Sequence, residues 1–161
     1  GSSITWKYRP QPGAPERTAM ATPSLHDSQV SVIDLETWAT LKTIPTPGPG
    51  RSLHSHENTP YAWMVPTMST QTGDTLQVID KHTLERVADI RPAPGKTLAQ
   101  VEFTRDGRHA LASLRERKTD GGALVVFDAA TLREVKRIPM DEPAGQYNLR
   151  NRITPVEGAR H

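Results

Sequence analysis

Cysteine is absent from all 161 residues. That removes disulfide frameworks, cysteine-based zinc sites and the C-x-x-C-H motif of a covalent c-type haem. Aromatic residues make up only 5% of the chain, and no apolar run approaches the roughly 20 residues that a membrane-spanning helix needs. The N-terminus lacks the basic-then-apolar pattern of a secretory signal. An excess of one charge is missing too: 20 basic and 18 acidic residues are interspersed and leave a net charge of +2, which gives nucleic-acid binding little support. The local basic run Arg115–Lys118 precedes Asp120-Gly121-Gly122 and reads as a solvated loop. No Ser-His-Asp order, credible acid pair or nucleotide-binding glycine loop stands out, and Gly95-Lys96-Thr97 lacks the rest of a Walker pattern.

Proline (14) and glycine (11) are frequent, a balance that suits short strands and many turns, hence an all-β chain. A repeat organises it. "SVIDLETWATLKTI" at 31–44 returns as "QVIDKHTLERVADI" at 77–90 and as "VVFDAATLREVKRI" at 125–138. Asp34, Asp80 and Asp128 each end an apolar run, with Thr37, Thr83 and Thr131 three positions on. The Asp-x-x-Thr link reads as a hairpin turn whose side-chain oxygens accept hydrogen bonds from the turn's own amides. Inner hairpins lie between these outer ones: "VEFTRDGRHALASL" at 101–114 turns at Asp106-Gly107, and "SHENTPYAWMV" at 55–65 turns at Asn58 to Pro60.

Spacings near 46 residues fit four-stranded propeller blades. The expected division is 1–44 as an incomplete first blade, in which "ITWKYR" and "TAMAT" are completed by the hairpin at 30–44. Residues 45–90 make a second blade, 91–138 a third, and 139–161 the start of a further blade with a C-terminal tail. About three blades are too few for a closed ring. The expectation is therefore part of a larger propeller, partnered by missing blades or by other copies of the chain. Trp38, Trp63 and Tyr61 are expected to pack between blades.

From about Ala19 onward, "ATPSLHDSQVSVID", "GPGRSLHSHENTPYAW", "GKTLAQVEFTRDGRHALASL" and "GQYNLRNRITPVEGARH" resemble the last blades of the haem d₁ propeller of cytochrome cd₁ nitrite reductases and their cofactor-maturation relatives. The final "EGARH" is closer to the maturation branch. The resemblance implies an eight-bladed, periplasmic propeller with haem d₁ across one mouth of its channel. It implies nitrite reduction in the reductases and binding or processing of the cofactor in their relatives. A c-type cytochrome is the implied electron donor, since no haem c motif is present. The competing reading is a non-catalytic repeat scaffold for protein contacts.

The reductase pattern "T-S-H-L-G-D" carries a distal histidine; here Thr22-Pro23-Ser24-Leu25-His26-Asp27 puts Ser24 in that position. Serine cannot donate a proton near neutral pH as histidine can, and His26 is the possible substitute. In "HSHE", His54 and His56 alternate along an expected strand, which would put both imidazoles on one face, with Glu57 on the other. That spacing alone is a weak metal signal. By resemblance, His56 matches a family histidine and His54 falls where a basic residue is usual, so with Arg51 they would face the macrocycle's carboxylates. A structural bond tying adjacent blades is the other reading of His56. Lys96 and Gln100 lead into the next blade and Gln146, beside Tyr147 and Asn148, into the last; all three are candidate channel-lining, cofactor-binding groups.

Overall fold

A computed structural model describes residues 3–115, 121–141 and 143. Among these residues twelve strands form three four-stranded sheets, each from consecutive chain. The first sheet holds β1 (Ile4–Tyr8), β2 (Arg17–Pro23), β3 (Gln29–Asp34) and β4 (Thr40–Pro45); the middle sheet holds β5 (Ser52–Ser55), β6 (Tyr61–Val65), β7 (Leu76–Asp80) and β8 (Arg86–Ile90). The third comprises β9 (Thr97–Phe103), β10 (His109–Arg115), β11 (Ala123–Asp128) and β12 (Glu134–Pro139). Every strand pairs antiparallel with its sequence neighbour. The first sheet thus has as many strands as the other two.

The repeated Asp-x-x-Thr segment builds the same outer hairpin in each sheet. One carboxylate oxygen of Asp34 accepts the amides of Glu36 (2.7 Å) and Thr37 (3.1 Å). Asp80 does so from His82 (2.7 Å) and Thr83 (3.0 Å), and Asp128 from Ala130 (2.9 Å) and Thr131 (2.8 Å). The next residue, Trp38, Leu84 or Leu132, takes a left-handed φ of 61°, 58° or 63°. Its amide donates to the aspartate's carbonyl. A bulge follows at the same place in each ladder, between Val32 and Ile33, Val78 and Ile79, and Val126 and Phe127. Asp34 is further engaged by the Tyr8 hydroxyl (2.5 Å) and Arg17 (3.1 Å). The Tyr8 bond first, with the Glu36, Thr37 and Arg17 bonds, holds its carboxyl far below the usual range despite the opposing effect of burial.

Packing explains why the middle strands read as unbroken apolar runs. β3 and β11 alternate buried and half-buried residues, whereas four consecutive residues of both β6 and β7 are buried. The middle sheet is covered on both faces. Met64 and Ile79 join Trp6, Ala21, Val30 and Val32 of the first sheet in one core. Trp63, Leu76 and Val78 join Leu98, Ala112 and Phe127 of the third in the other. The Trp63 and Phe127 rings lie 5.6 Å apart, and truncating such a fully buried Trp63 to alanine costs about 3–5 kcal/mol. Tyr61 is half-buried against the second core. Trp38 departs from the expected packing: it is 74% exposed, because no described sheet covers that side of the first sheet.

Candidate functional site

Each sheet begins with its inner strand, and β5 touches both β1 and β9, so these strands form a common wall. Antiparallel order sorts the loops between two ends. Ser24 and His26, in the β2–β3 loop, share an end with Arg51, at the start of β5, and Lys96, just before β9. His54 and Gln100 lie inside β5 and β9.

Ser24 is a turn residue. Its hydroxyl accepts the amides of Asp27 (2.9 Å) and His26 (3.3 Å), and its carbonyl accepts the amide of Gly50 (3.0 Å). This bond joins the loop to the one presenting Arg51. A β-carbon at Gly50 would come within 2.5 Å of the Val65 carbonyl oxygen, so only glycine fits this approach. The Arg51 amide donates to the Thr67 hydroxyl at 3.2 Å, and its side chain is exposed, as is that of His26.

Lys96 is presented by a second tied loop. Asp74, buried just before β7, accepts from Arg91 (2.6 Å) and from the Gly95 amide (2.8 Å). The Arg91 bond, with the Gly95 and Thr75 bonds, outweighs burial and holds the Asp74 carboxyl down at about 2. The Lys96 ammonium donates to the Gly121 carbonyl at 3.4 Å. Sequence reasoning missed Asp74, whose partners lie 17 and 21 positions away.

On the wall itself, His54 Nδ1 is 4.0 Å from Glu102 Oε1, which also accepts from Gln100 Nε2 at 3.2 Å. The structure brings His54 and Gln100 together through Glu102, a residue that sequence reasoning did not single out. Its place two residues after Gln100 on the same strand was the available signal.

His56 is not at the start of an inner strand. It follows β5 in the turn at the opposite end from Ser24, Arg51 and Lys96, so the alternation that would have paired it with His54 ends at Ser55. Its Nδ1 accepts the Asn58 amide at 3.0 Å, its ring lies 6.1 Å from Phe103, and Gly107 leaves it room where a β-carbon would collide. Asn58 donates to the Asp106 carbonyl (3.2 Å) and the Lys81 ammonium to the His56 carbonyl (3.0 Å). Burial is the main cause holding the imidazole below its usual pKa. These contacts tie the middle and third sheets. Among the described residues no group of three or more His, Asp or Glu side chains is arranged to hold a metal ion. Gln146, Tyr147 and Asn148 lie outside the described residues.

Arg51 and Lys96 offer cationic donors at one end of a common wall, and His54 and Gln100 offer further polar groups inside its strands. Groups of this kind can hydrogen-bond carboxylates.

Face-to-face sheets of four consecutive strands, with adjacent inner strands, define a run of three β-propeller blades. Residues 7–152 match the model of the cytochrome D1 heme domain, and the chain belongs to that family. It is 47% identical over all 161 residues to dihydro-heme d1 dehydrogenase of Pseudomonas aeruginosa, 31% of whose length it covers. It is 28% identical over 125 residues to protein NirF of Stutzerimonas stutzeri, covering 78% of this chain and 30% of that protein. In structure it resembles dihydro-heme d1 dehydrogenase NirN in complex with DHE: the TM-score is 0.82 at 48% identity over 96% of this chain and 31% of the other. Hydrazine synthase of Kuenenia stuttgartiensis shares the fold at 20% identity, with a TM-score of 0.65 over 77% of this chain and 34% of the other. The chain thus spans under a third of the length of its curated relatives, and it stands nearer the haem d₁ maturation relatives.

Proposed function

We propose that these blades belong to a haem d₁ maturation protein that binds dihydro-haem d₁ and removes two electrons and two protons from it in the bacterial periplasm. The 47% identity to a dihydro-heme d1 dehydrogenase over the whole chain carries this reading. Further support comes from Ser24, whose hydroxyl serves a turn and supplies no near-neutral proton donor of the kind nitrite reduction needs. Arg51, Lys96, His54 and Gln100 hold and orient the macrocycle by hydrogen bonds to its carboxylates, with the remaining blades of the longer protein completing the channel. Without cysteine this chain carries no covalent c-type haem, so the two electrons pass one at a time to another domain or to a c-type cytochrome, and the two protons pass to solvent.

The test is a titration of the full-length parent with haem d₁ and its dihydro form, read in the visible spectrum. Arg51→Ala and His54→Ala should each weaken binding by ten- to a hundredfold while β-sheet circular dichroism stays unchanged, the effect of losing one charge-assisted bond of roughly 1.5–3 kcal/mol. A parent that shows no spectral shift at micromolar cofactor would instead be a non-catalytic scaffold.

A further inference from the structure

β5 and β9 are end strands, each hydrogen-bonded within its sheet on one side only, so their other edges face the axis of the propeller. Leu53 of β5 enters the core between the first and middle sheets, and Val101 of β9 the core between the middle and third. Their sequence neighbours His54 and Glu102 belong to neither core, and their side chains stay 14% and 24% exposed. Each holds the penultimate position of its strand, Ser52–Ser55 or Thr97–Phe103. The two therefore stand at one level of the wall, three residues and about 10 Å along the chain from Arg51, at roughly 3.3 Å per residue.

The sign of Glu102 separates it from the groups that hold a macrocycle. A carboxylate repels the macrocycle's own carboxylates, so this one needs a different role. His54 Nδ1 lies 4.0 Å from Glu102 Oε1, and Gln100 Nε2 donates to that same oxygen at 3.2 Å. The gap is too long for a hydrogen bond, and a small rotation of either side chain closes it. Imidazole takes up and releases protons near neutral pH, and a carboxylate is a natural next acceptor. Gln100 carries no transferable proton and fixes where the carboxylate points.

We propose that His54 and Glu102 carry a proton of the dehydrogenation away from the macrocycle into the channel, with Gln100 as the positioning residue; this rests on the reaction proposed above. Two C–H bonds of the dihydro macrocycle break and one double bond forms. The two electrons left over pass one at a time to a c-type haem outside this chain, and two protons are released. One of them protonates the His54 imidazole and moves on to the Glu102 carboxylate. The glutamic acid then gives it to water in the channel, so both groups return to their starting states.

Glu102→Gln in the full-length parent removes the proton carrier and keeps an oxygen that can accept from Gln100. Its melting temperature and its affinity for dihydro-haem d₁, read by spectral titration, should match the wild type. Its rate of oxidation at saturating substrate should fall at least tenfold and recover in part with formate, a small acid able to enter the channel. Glu102→Asp, which still carries a carboxylate, should retain more of the rate than Glu102→Gln. In the cofactor-free parent with isotopically labelled histidine, Glu102→Gln should move the ring-nitrogen resonances of His54, a readout independent of turnover. An unchanged rate in the folded variant, a loss that formate does not relieve, or His54 resonances identical to the wild type would overturn the relay. A loss of affinity as large as the loss of rate would do so too, since Glu102 would then serve binding. A wild-type parent that binds the dihydro form without oxidising it would sink the proposed reaction, and the relay with it, whatever Glu102 does.

Discussion

Replacing Asp74 with asparagine removes one charge from a buried tie while keeping its shape. The carboxyl is held at about 2 in the folded chain against 3.8 when unperturbed, a difference equivalent to roughly 2.4 kcal/mol at 1.36 kcal/mol per unit. Arg91 is 55% exposed, and solvent screening reduces the net value to about 1–2 kcal/mol. Because the folded-state pKa is depressed, this stabilisation is fully present above pH 4. It is lost as pH falls from about 4 through about 2. Asp74→Asn should therefore melt roughly 3–6 °C below the wild type at pH 7, and the gap should shrink to a small fraction of that by pH 2, where the folded carboxyl is about half protonated. Amide exchange in residues 91–96 should accelerate in the variant, since the Gly95 amide loses its charged acceptor. Thermal melts at half-unit pH steps measure the gap directly. A gap that persists unchanged down to pH 2 would refute the reasoning, because the contribution of Asp74 would then not depend on its charge.

Gly107→Ala should lower stability by more than about 1 kcal/mol, since φ is +70° and the new methyl meets the His56 ring; chemical denaturation reads it. His56→Ala should lower the melting temperature yet spare cofactor affinity in the folded parent, because its described contacts join two blades; calorimetry beside a spectral titration separates the two effects. Asp34→Ala should reduce the melting temperature more than Asp80→Ala does, because Asp34 alone of the pair also receives Tyr8 and Arg17. A larger loss for Asp80→Ala would place the strength of the turn elsewhere.

The outer hairpins were legible because their cause is local: an aspartate caps its own turn within three residues, and the capping recurs at fixed spacing. The inner turn at Asp106-Gly107 was legible for the same reason, with Asp106 accepting from Thr104 and Arg108 close by in sequence. What escaped notice depends on distant chain. Asp74 meets Arg91 across the middle sheet's outer hairpin, Glu102 meets His54 across two blades, and Gly50 is required by the backbone of Val65 to Thr67. His56 shows where periodicity misleads. Alternation holds only while a strand lasts, and β5 ends at Ser55. Trp38 shows the opposite: its equivalence to two half-buried leucines was visible in the repeat, but its exposure follows from which sheet adjoins it.

Because every described sheet takes its four strands from one uninterrupted stretch of about 40 residues, each hydrogen-bonded ladder can close as its own segment leaves the ribosome. Apolar contact between ladders comes afterwards, and only between sequence neighbours. Folding of such a chain can therefore proceed as a zipper along the polypeptide, with few long loops to close and a correspondingly small entropic barrier for each step. The same order has a cost during synthesis. Until its neighbour is complete, the newest blade shows one apolar face to solvent, and the middle blade, apolar on both faces, is the one whose exposure while awaiting Trp63's partners most favours aggregation.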